Sequence, residues 1–305
     1  MGTSVPEGDH WRYEIKWDGT RMVTYYDQGT VTVYNRKQRE RTHHYPELQD
    51  IHSYCMAESV ILDGEMIALG RDGKPSFHEV MRRDLLTRME RIKEVQPAVP
   101  VTYMIFDVLY HNGTWVHTWP LAERLQLLEK IITPLPHIQL AAAHPDGNKL
   151  FQVMQQQNME GIVCKDLRSA YAFGRKDDRW MKVKNYGDTV AAIGGFTLGG
   201  GFVNAVLLGQ FDHEGKFWYI GHTGTGKLSK ADWRQLTDLL APSVVKERPF
   251  TNRPERHKDA YWVRPGVTVK VQFSEWRWQE GRSMRQPSIQ SFVQTKAEDC
   301  KLPWL

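Results

Sequence analysis

A lysine at position 16 heads the segment Lys16-Trp17-Asp18-Gly19-Thr20-Arg21, with Glu14 two residues before it. By average residue usage the pattern K-x-D-G-x-R arises by chance in about one chain of this length in a few hundred. A hairpin with Asp-Gly at its corner would explain it without any chemistry. Four other segments give it company. Leu62-Asp63-Gly64-Glu65 sets a carboxylate in a strand, and Phe106-Asp107 lies in an apolar one. Glu160-Gly161-Ile162-Val163-Cys164-Lys165 joins an acid to a base, and Trp180-Met181-Lys182-Val183-Lys184 carries two lysines at strand spacing. Side chains alternate along a strand, so Lys182 and Lys184 share a face.

Together Lys16, Lys165, Lys182, Lys184 and Arg21 would form a strongly cationic pocket. Glu65 and Glu160 supply hard oxygen ligands of the kind that hold a divalent metal. Salt bridging accounts equally well for either glutamate alone. A free lysine amine, with a pKa of about 10.4, is only about 0.1% neutral near pH 7.4, so nucleophilic attack needs about 4 kcal/mol of assistance. Neighbouring cations and partial desolvation act in that direction. The same cations would stabilise phosphate charge in a transition state. A lysine nucleophile among phosphate binders points to covalent nucleotidyl transfer.

The elements that must position these residues read as mixed α and β in the first part of the chain. Strands are expected at Trp11–Trp17, Met22–Tyr26 and Thr30–Tyr34, the last two separated by Asp27-Gln28-Gly29. Others are expected at Val60–Leu69, Val101–Tyr110, Gly161–Cys164 and Trp180–Val183. Phe77–Lys93 reads as one helix with Val80, Leu85, Leu86 and Met89 inward, and Leu121–Ile132 as another. The texture changes near Tyr186-Gly187-Asp188. Beyond it come short strands divided by glycines, at Val190–Phe196, Val203–Phe211, Phe217–Gly221 and Val267–Phe273. One helix, Lys230 to Leu240, is expected to bury Trp233, Leu236, Leu239 and Leu240 behind a Ser229 cap. Such a set suits a small β-barrel of the OB type.

The 305 residues suit two domains, and 41% hydrophobic content excludes a disordered chain. No apolar run approaches membrane-spanning length, and Met1 to His10 lacks a secretory pattern. Cys55, Cys164 and Cys300 form no close pair, which fits a reducing cytosol. With 40 basic against 36 acidic residues, the net charge of +4 permits a nucleic-acid partner without requiring one. Lys246 to Lys258 holds five positive charges against two negative, and Trp276 to Gln286 interleaves Arg277, Arg282 and Arg285 with two tryptophans. Basic residues mixed with aromatics can meet phosphates and stack on bases. Other motifs fail on inspection. Gly221 to Lys227 nearly spells a phosphate loop, but Leu228 stands where Ser or Thr must bind magnesium. His78-Glu79 lacks the second histidine of a zinc helix, and His43-His44 reads as surface.

The ordered series KWDGTR, LDGE, FD, EGIVCK and WMKVK resembles the motifs of the covalent nucleotidyltransferases: ATP-dependent DNA ligases, RNA ligases and mRNA capping enzymes. The stretches DGEMIAL, FHEVMRR, PLAERLQLLE, EGIVCKD, YIGHTGTG and RQPS are most similar to the ligase domain of bacterial ligase D, the end-joining ligases. The resemblance covers nearly the whole chain. It implies an α+β fold, with an ATP-grasp-like nucleotidyltransferase domain over residues 1–186 and an OB-fold barrel over 187–305. It implies an ATP-dependent DNA ligase that works through a lysine–AMP intermediate with Mg²⁺ or Mn²⁺. An RNA ligase, a capping guanylyltransferase and a non-catalytic DNA binder are the alternatives.

Carried over by motif, the resemblance makes Lys16 the nucleophile that takes AMP. It sets Glu14 against adenine, Arg21 against the ribose or the DNA 5′-phosphate, and Arg36 in the second arginine motif. Glu65 would meet ribose and metal, Glu160 a second metal site, and Phe106 would stack on adenine; for Phe106 the plain alternative is a core residue. Lys165, Lys182 and Lys184 would bind the α-phosphate and its neighbours. One motif departs from the pattern. Where ligases carry R-x-D-K, this chain offers Val293-Gln294-Thr295-Lys296, which leaves the step with ATP either weak or reliant on Lys296 and nearby arginines. The expected partners are nicked or broken duplex DNA, Ku, and polymerase or nuclease modules. The expected setting is a monomer in the bacterial cytoplasm, at the nucleoid. With so few residues ahead of Lys16, no amino-terminal DNA-encircling domain is expected.

Overall fold

Alternating and turn-flanked segments of the chain form the strands. The computed structural model describes residues 4–175, 177–224, 226, 228–255, 258–277 and 283–303. The chain divides into two compact units, the first ending at Asn185 and the second beginning at Tyr186. In the first, β1 (Trp11–Ile15), β2 (Thr20–Asp27) and β3 (Thr30–Asn35) come early. Gln28 and Gly29 both take positive φ, 47° and 80°, as a two-residue hairpin that follows the strand twist demands. Then follow β4 (Ser59–Ala68), α1 (Phe77–Asp84), α2 (Met89–Val95), β5 (Val101–His111), β6 (Thr114–Trp115) and α3 (Leu121–Ile131). The unit ends with β7 (Ile138–Leu140), β8 (Ala143–His144), α4 (Gly147–Gln156), β9 (Gly161–Asp166) and β10 (Trp180–Lys184).

These strands make two sheets. The larger runs β3-β2-β4-β5-β6, with β7 parallel to β5, and the smaller runs β10-β9-β1-β8. The main core lies on the larger sheet and includes Met22, Leu62, Tyr103, Leu121, Leu125 and Leu128, so the α3 periodicity holds. The helix expected over Phe77–Lys93 does not. It breaks after Asp84, whose carboxylate accepts from Tyr45 Oη at 3.0 Å and Arg41 Nε at 3.2 Å. Beyond the break the spacing no longer applies, and Leu85 is 69% and Met89 37% exposed. Arg83 is buried instead, because Glu47 takes it at 2.8 and 2.7 Å and the His44 carbonyl at 2.6 Å. His44 is also buried rather than on the surface, its Nε2 2.8 Å from the Leu86 carbonyl oxygen.

The second unit holds β11 (Gly187–Gly199), β12 (Phe202–Phe211), β13 (Phe217–Thr223), α5 (Lys230–Leu240), β14 (Val244–Val245) and β15 (Tyr261–Val263). It continues with β16 (Thr268–Phe273), β17 (Glu275–Arg277), β18 (Ser283–Arg285) and β19 (Ser288–Val293). The strands β11 and β12 are longer than expected. A register shift between Ile193 and Gly195 lets β11 pair β16 along its first half and β15 beyond, which is how one strand serves a coiled, barrel-forming sheet. Ser229 and Asp232 form a reciprocal cap on α5, and Trp233, Leu236 and Leu240 are buried while Leu239 stays 48% exposed. This is the OB-type domain expected. Parts of both basic segments, at 256–257 and 278–282, lie outside the described residues. No helix among the described residues is long and apolar enough to cross a membrane.

Candidate active site

The smaller sheet of the first unit has two unlike faces, and strand alternation produces both. On one, Tyr13, Ile162, Cys164 and Val183 pack with Leu150 and Met154 of α4. Burying an Ile, Val, Leu or Met side chain contributes about 1.5–3 kcal/mol, so this face fixes the sheet on its helix. The antiparallel register sets Arg12 opposite Lys165, Glu14 opposite Val163, Lys165 opposite Trp180, and Lys184 opposite Gly161. Opposed residues project to the same side. The other face therefore collects Arg12, Glu14, Lys165, Trp180, Lys182 and Lys184, with Lys16 just past the end of β1.

Two ion-pair groups organise that face. Glu160 takes Lys16 Nζ on Oε2 at 2.6 Å and Lys184 Nζ on Oε1 at 3.2 Å. Glu14, 3% exposed, takes Lys165 Nζ at 2.6 Å on one oxygen and Arg12 Nε at 2.6 Å on the other. The Lys165 ammonium also lies 4.5 Å from the Phe106 ring centre and 4.3 Å from that of Trp180. Phe106 is only partly buried, so it is not a core residue. It occupies a register shift in the pairing of β4 with β5, and such an extra residue re-aims a side chain. The expectation surrounded Lys16 with cations. The structure instead puts a carboxylate in direct contact with its amine.

The larger sheet contributes from β2 and β4. Arg21 stands opposite Glu65 in the register, and its Nε and Nη2 both donate to Asp63 at 2.7 Å. Tyr171 Oη donates to the same carboxylate at 2.7 Å and also contacts Arg21 Nη2. Loss of hydration pushes the Glu65 carboxyl up to about 8, against the pull of Lys16 and with added repulsion from Asp63 and Glu160. Burial lowers the Lys182 amine, and the positive charges of Lys16 and Arg36 lower it further. That coupling places Arg36, an exposed residue after β3, within electrostatic reach of the same pocket. The sequence-selected residues thus lie around one region of the first unit.

Sequence reasoning gave no role to Arg12, Asp63, Trp180 or Tyr171. The first three sit two residues from Glu14, Glu65 and Lys182, so strand alternation alone would have found them. Tyr171 is in a loop and carries no such signal. Two glycines are required by close approach. A Cβ on Gly64 would come 2.4 Å from the Tyr103 ring. One on Gly161, at φ +129°, would come 2.2 Å from the Val183 carbonyl oxygen.

The site thus joins a partly buried lysine paired to a glutamate with further strand lysines and an aromatic ring, in a chain with an OB-type second unit. Residues 4–184 match the ATP dependent DNA ligase domain, and residues 199–296 match the ATP dependent DNA ligase C terminal region. The chain belongs to the ATP-dependent DNA ligase family. It is 31% identical over 95% of its length to the multifunctional non-homologous end joining protein LigD of Mycolicibacterium smegmatis, and spans 37% of that protein. It is 28% identical to the DNA ligase of Thermococcus fumicolans over 94% of its length, and spans 52% of that protein. Among solved structures it is similar to mycobacterial DNA ligase D complexed with ATP and MES, with a TM-score of 0.51 at 28% identity, covering 95% of this chain and 91% of that one.

Proposed function

We propose that the protein seals breaks between a 3′-hydroxyl and a 5′-phosphate in duplex DNA, using ATP, in double-strand break repair by end joining. The Lys16 amine attacks the α-phosphorus of ATP; a P–N bond forms and pyrophosphate leaves. The adenylate passes to the DNA 5′-phosphate, freeing Lys16 and converting that phosphate's oxygen into a good leaving group. A 3′-hydroxyl then attacks the phosphorus of that DNA 5′-phosphate, loses its proton, and AMP departs. The observation that carries this reading is the Lys16–Glu160–Lys184 group on the polar face of a sheet whose other face is locked to α4.

In this reading Phe106 stacks on adenine and Glu14 lies at its edge, while Lys165, Lys182 and Lys184 meet the α-phosphate and its neighbours. Arg21, held in orientation by Asp63 and Tyr171, meets the ribose or the 5′-phosphate, with Arg36 beside it. The depressed Lys182 amine supports this, since a crowded cation gains from an arriving phosphate. Among the described residues no three His, Cys, Asp or Glu side chains form a protein-only metal cage. The residues still fit Mg²⁺ or Mn²⁺, because such ions commonly take one or two carboxylates and complete their shell with phosphate and water. Glu65 and Glu160 would hold it, and the poorly hydrated Glu65 carboxyl gains from a cation. The metal would neutralise phosphate oxygens.

The boundary near 186, Ku and polymerase or nuclease modules as partners, a monomeric state and a bacterial nucleoid setting belong to the same proposal. Intact-mass measurement tests it. The protein incubated with ATP gains one AMP, loses it on mixing with nicked DNA, and gains none as Lys16→Ala. An adduct formed from GTP and not ATP, or sealing of RNA but not DNA, overturns the reading.

A further inference from the structure

A row of aromatic rings leaves the pocket of the first unit and ends in solvent. Ring centres are 5.5 Å apart for Phe106 and Trp180, 6.0 Å for Trp180 and Tyr171, and 5.0 Å for Tyr171 and Phe173. They are 5.1 Å apart for Phe173 and His117, and 5.5 Å for His117 and Trp115. The near end lies over the buried Lys165. At the far end Phe173 is 55% and Trp115 53% exposed. Every contact in the row is tilted or edge-on, with planes 58–87° apart, so no ring is stacked flat on its neighbour.

The row is built rather than incidental. The Tyr171 amide donates to the His117 carbonyl at 2.8 Å, and Arg124 donates to the Ser169 carbonyl at 3.1 Å, so the loop carrying Phe173 is tied to its neighbours. Tyr171 belongs both to the row and to the Arg21–Asp63 group. The same loop exposes Arg175 and also Arg168, whose side chain is 68% exposed and pairs with Asp166 at 3.1 Å. Flat apolar faces beside guanidinium groups are the chemistry of single-stranded nucleic-acid binding, in which rings take bases and cations take phosphates.

We propose that Trp115 and Phe173 form a stacking platform for unpaired bases of a DNA strand. Its continuity with the lysine pocket suits the unpaired nucleotides of a broken end whose terminal phosphate is being processed, and this rests on the ligase reading. Stacking on an open aromatic face tolerates any base, so the platform holds strand ends of any sequence.

The test uses the full chain and a fluorescein-labelled single-stranded thymidine oligonucleotide, with binding read by anisotropy at fixed salt. The paired substitutions Trp115→Leu and Phe173→Leu keep apolar area but remove the rings. They are expected to weaken binding about 25-fold, about fivefold for each lost stack. Trp115→Phe with Phe173→Tyr retains binding within about twofold, because each position keeps a ring. In the leucine variant, adenylate addition to Lys16 and sealing of a nick without unpaired bases stay at wild-type rate. Wild-type affinity in the leucine variant overturns the platform. No measurable binding by wild type also overturns it. If Lys16 takes no AMP while ring-dependent binding stands, the ligase reading fails and the platform remains.

Discussion

Replacing Asp107 by Asn removes the counter-ion of a guanidinium with no access to water. Arg124 and Asp107 are both 0% exposed, joined at 2.7 and 2.9 Å, and Asp107 Oδ1 also accepts the Val108 amide at 2.8 Å. Taking one partner from such a pair leaves a buried charge uncompensated and costs about 3–5 kcal/mol. Measured against a domain stability of about 5–15 kcal/mol, that is a large fraction. At about 2–4 °C per kcal/mol for a unit of this size, melting of the first unit falls by about 6–20 °C. Thermal unfolding by tryptophan fluorescence measures it. Replacing both partners, as Asp107→Leu with Arg124→Met, removes the orphaned charge and recovers most of the loss. Arg124 also holds the Trp119 and Ser169 carbonyls, so Asp107→Asn additionally loosens the loop that carries Tyr171 and lowers the fraction of protein adenylated. A melting temperature within about 2 °C of wild type, with no gain from the double substitution, refutes the reasoning.

Four further outcomes follow from the same geometry. Gly161→Ala forces a Cβ to within 2.2 Å of the Val183 carbonyl oxygen at a φ of +129°; it destabilises the first unit by about 3 kcal/mol or more in urea unfolding, and the AMP adduct falls with it. Glu65 has a folded-state carboxyl raised to about 8 from an ordinary 4.5, so its ionisation opposes folding as pH rises through that window. Glu65→Gln is therefore more stable than wild type at pH 8 by up to about 4 kcal/mol, a gain that shrinks toward pH 4.5 and is read from melts at several pH values. Phe106→Leu, which keeps bulk but no ring face, raises the ATP concentration needed for half-maximal adenylation about fivefold or more. Arg21→Lys loses the two-point grip on Asp63 and slows transfer from adenylated protein to nicked DNA more than it slows adduct formation, as single-turnover measurements would show.

Much of the site was legible because strands carry most of it. Lys182 and Lys184, two apart, were placed on one face by alternation alone, and the β1, β9 and β10 segments were found within a few residues. What pairs with what was not legible. Glu160 reaches Lys16 only because β1 lies against β9, an arrangement that no local pattern encodes. The same holds for the Glu14–Lys165 pair. The helix over Phe77–Lys93 failed for a related reason. Its apolar spacing continued past Asp84, but a tertiary network of Tyr45, Arg41 and Glu47 claimed Asp84 and Arg83 and ended the helix there. Buried arginines satisfied by distant partners defeat any reading that treats charge as surface.

The carboxylate against Lys16 changes the electrostatic argument for the pocket. Lys16, Lys182, Lys184 and Arg36 carry like charges, and loss of hydration, followed by the charges of Lys16 and Arg36, lowers the Lys182 amine. Like charges a few ångströms apart cost about 4 kcal/mol at the effective dielectric of a protein surface. Without an anion, such a cluster would relax outward into water, and the Lys16 amine would have no fixed position. Glu160 bridges two of the ammonium groups and holds them in place before any phosphate arrives. The contact that positions the Lys16 amine therefore also occupies it. In the proposed ligase reaction that contact is exchanged during binding, when an incoming phosphate takes over the neutralisation of Lys184 and Lys182. Under the ligase proposal the positioning by Glu160 and the binding of phosphate by the strand lysines are two states of one charge balance.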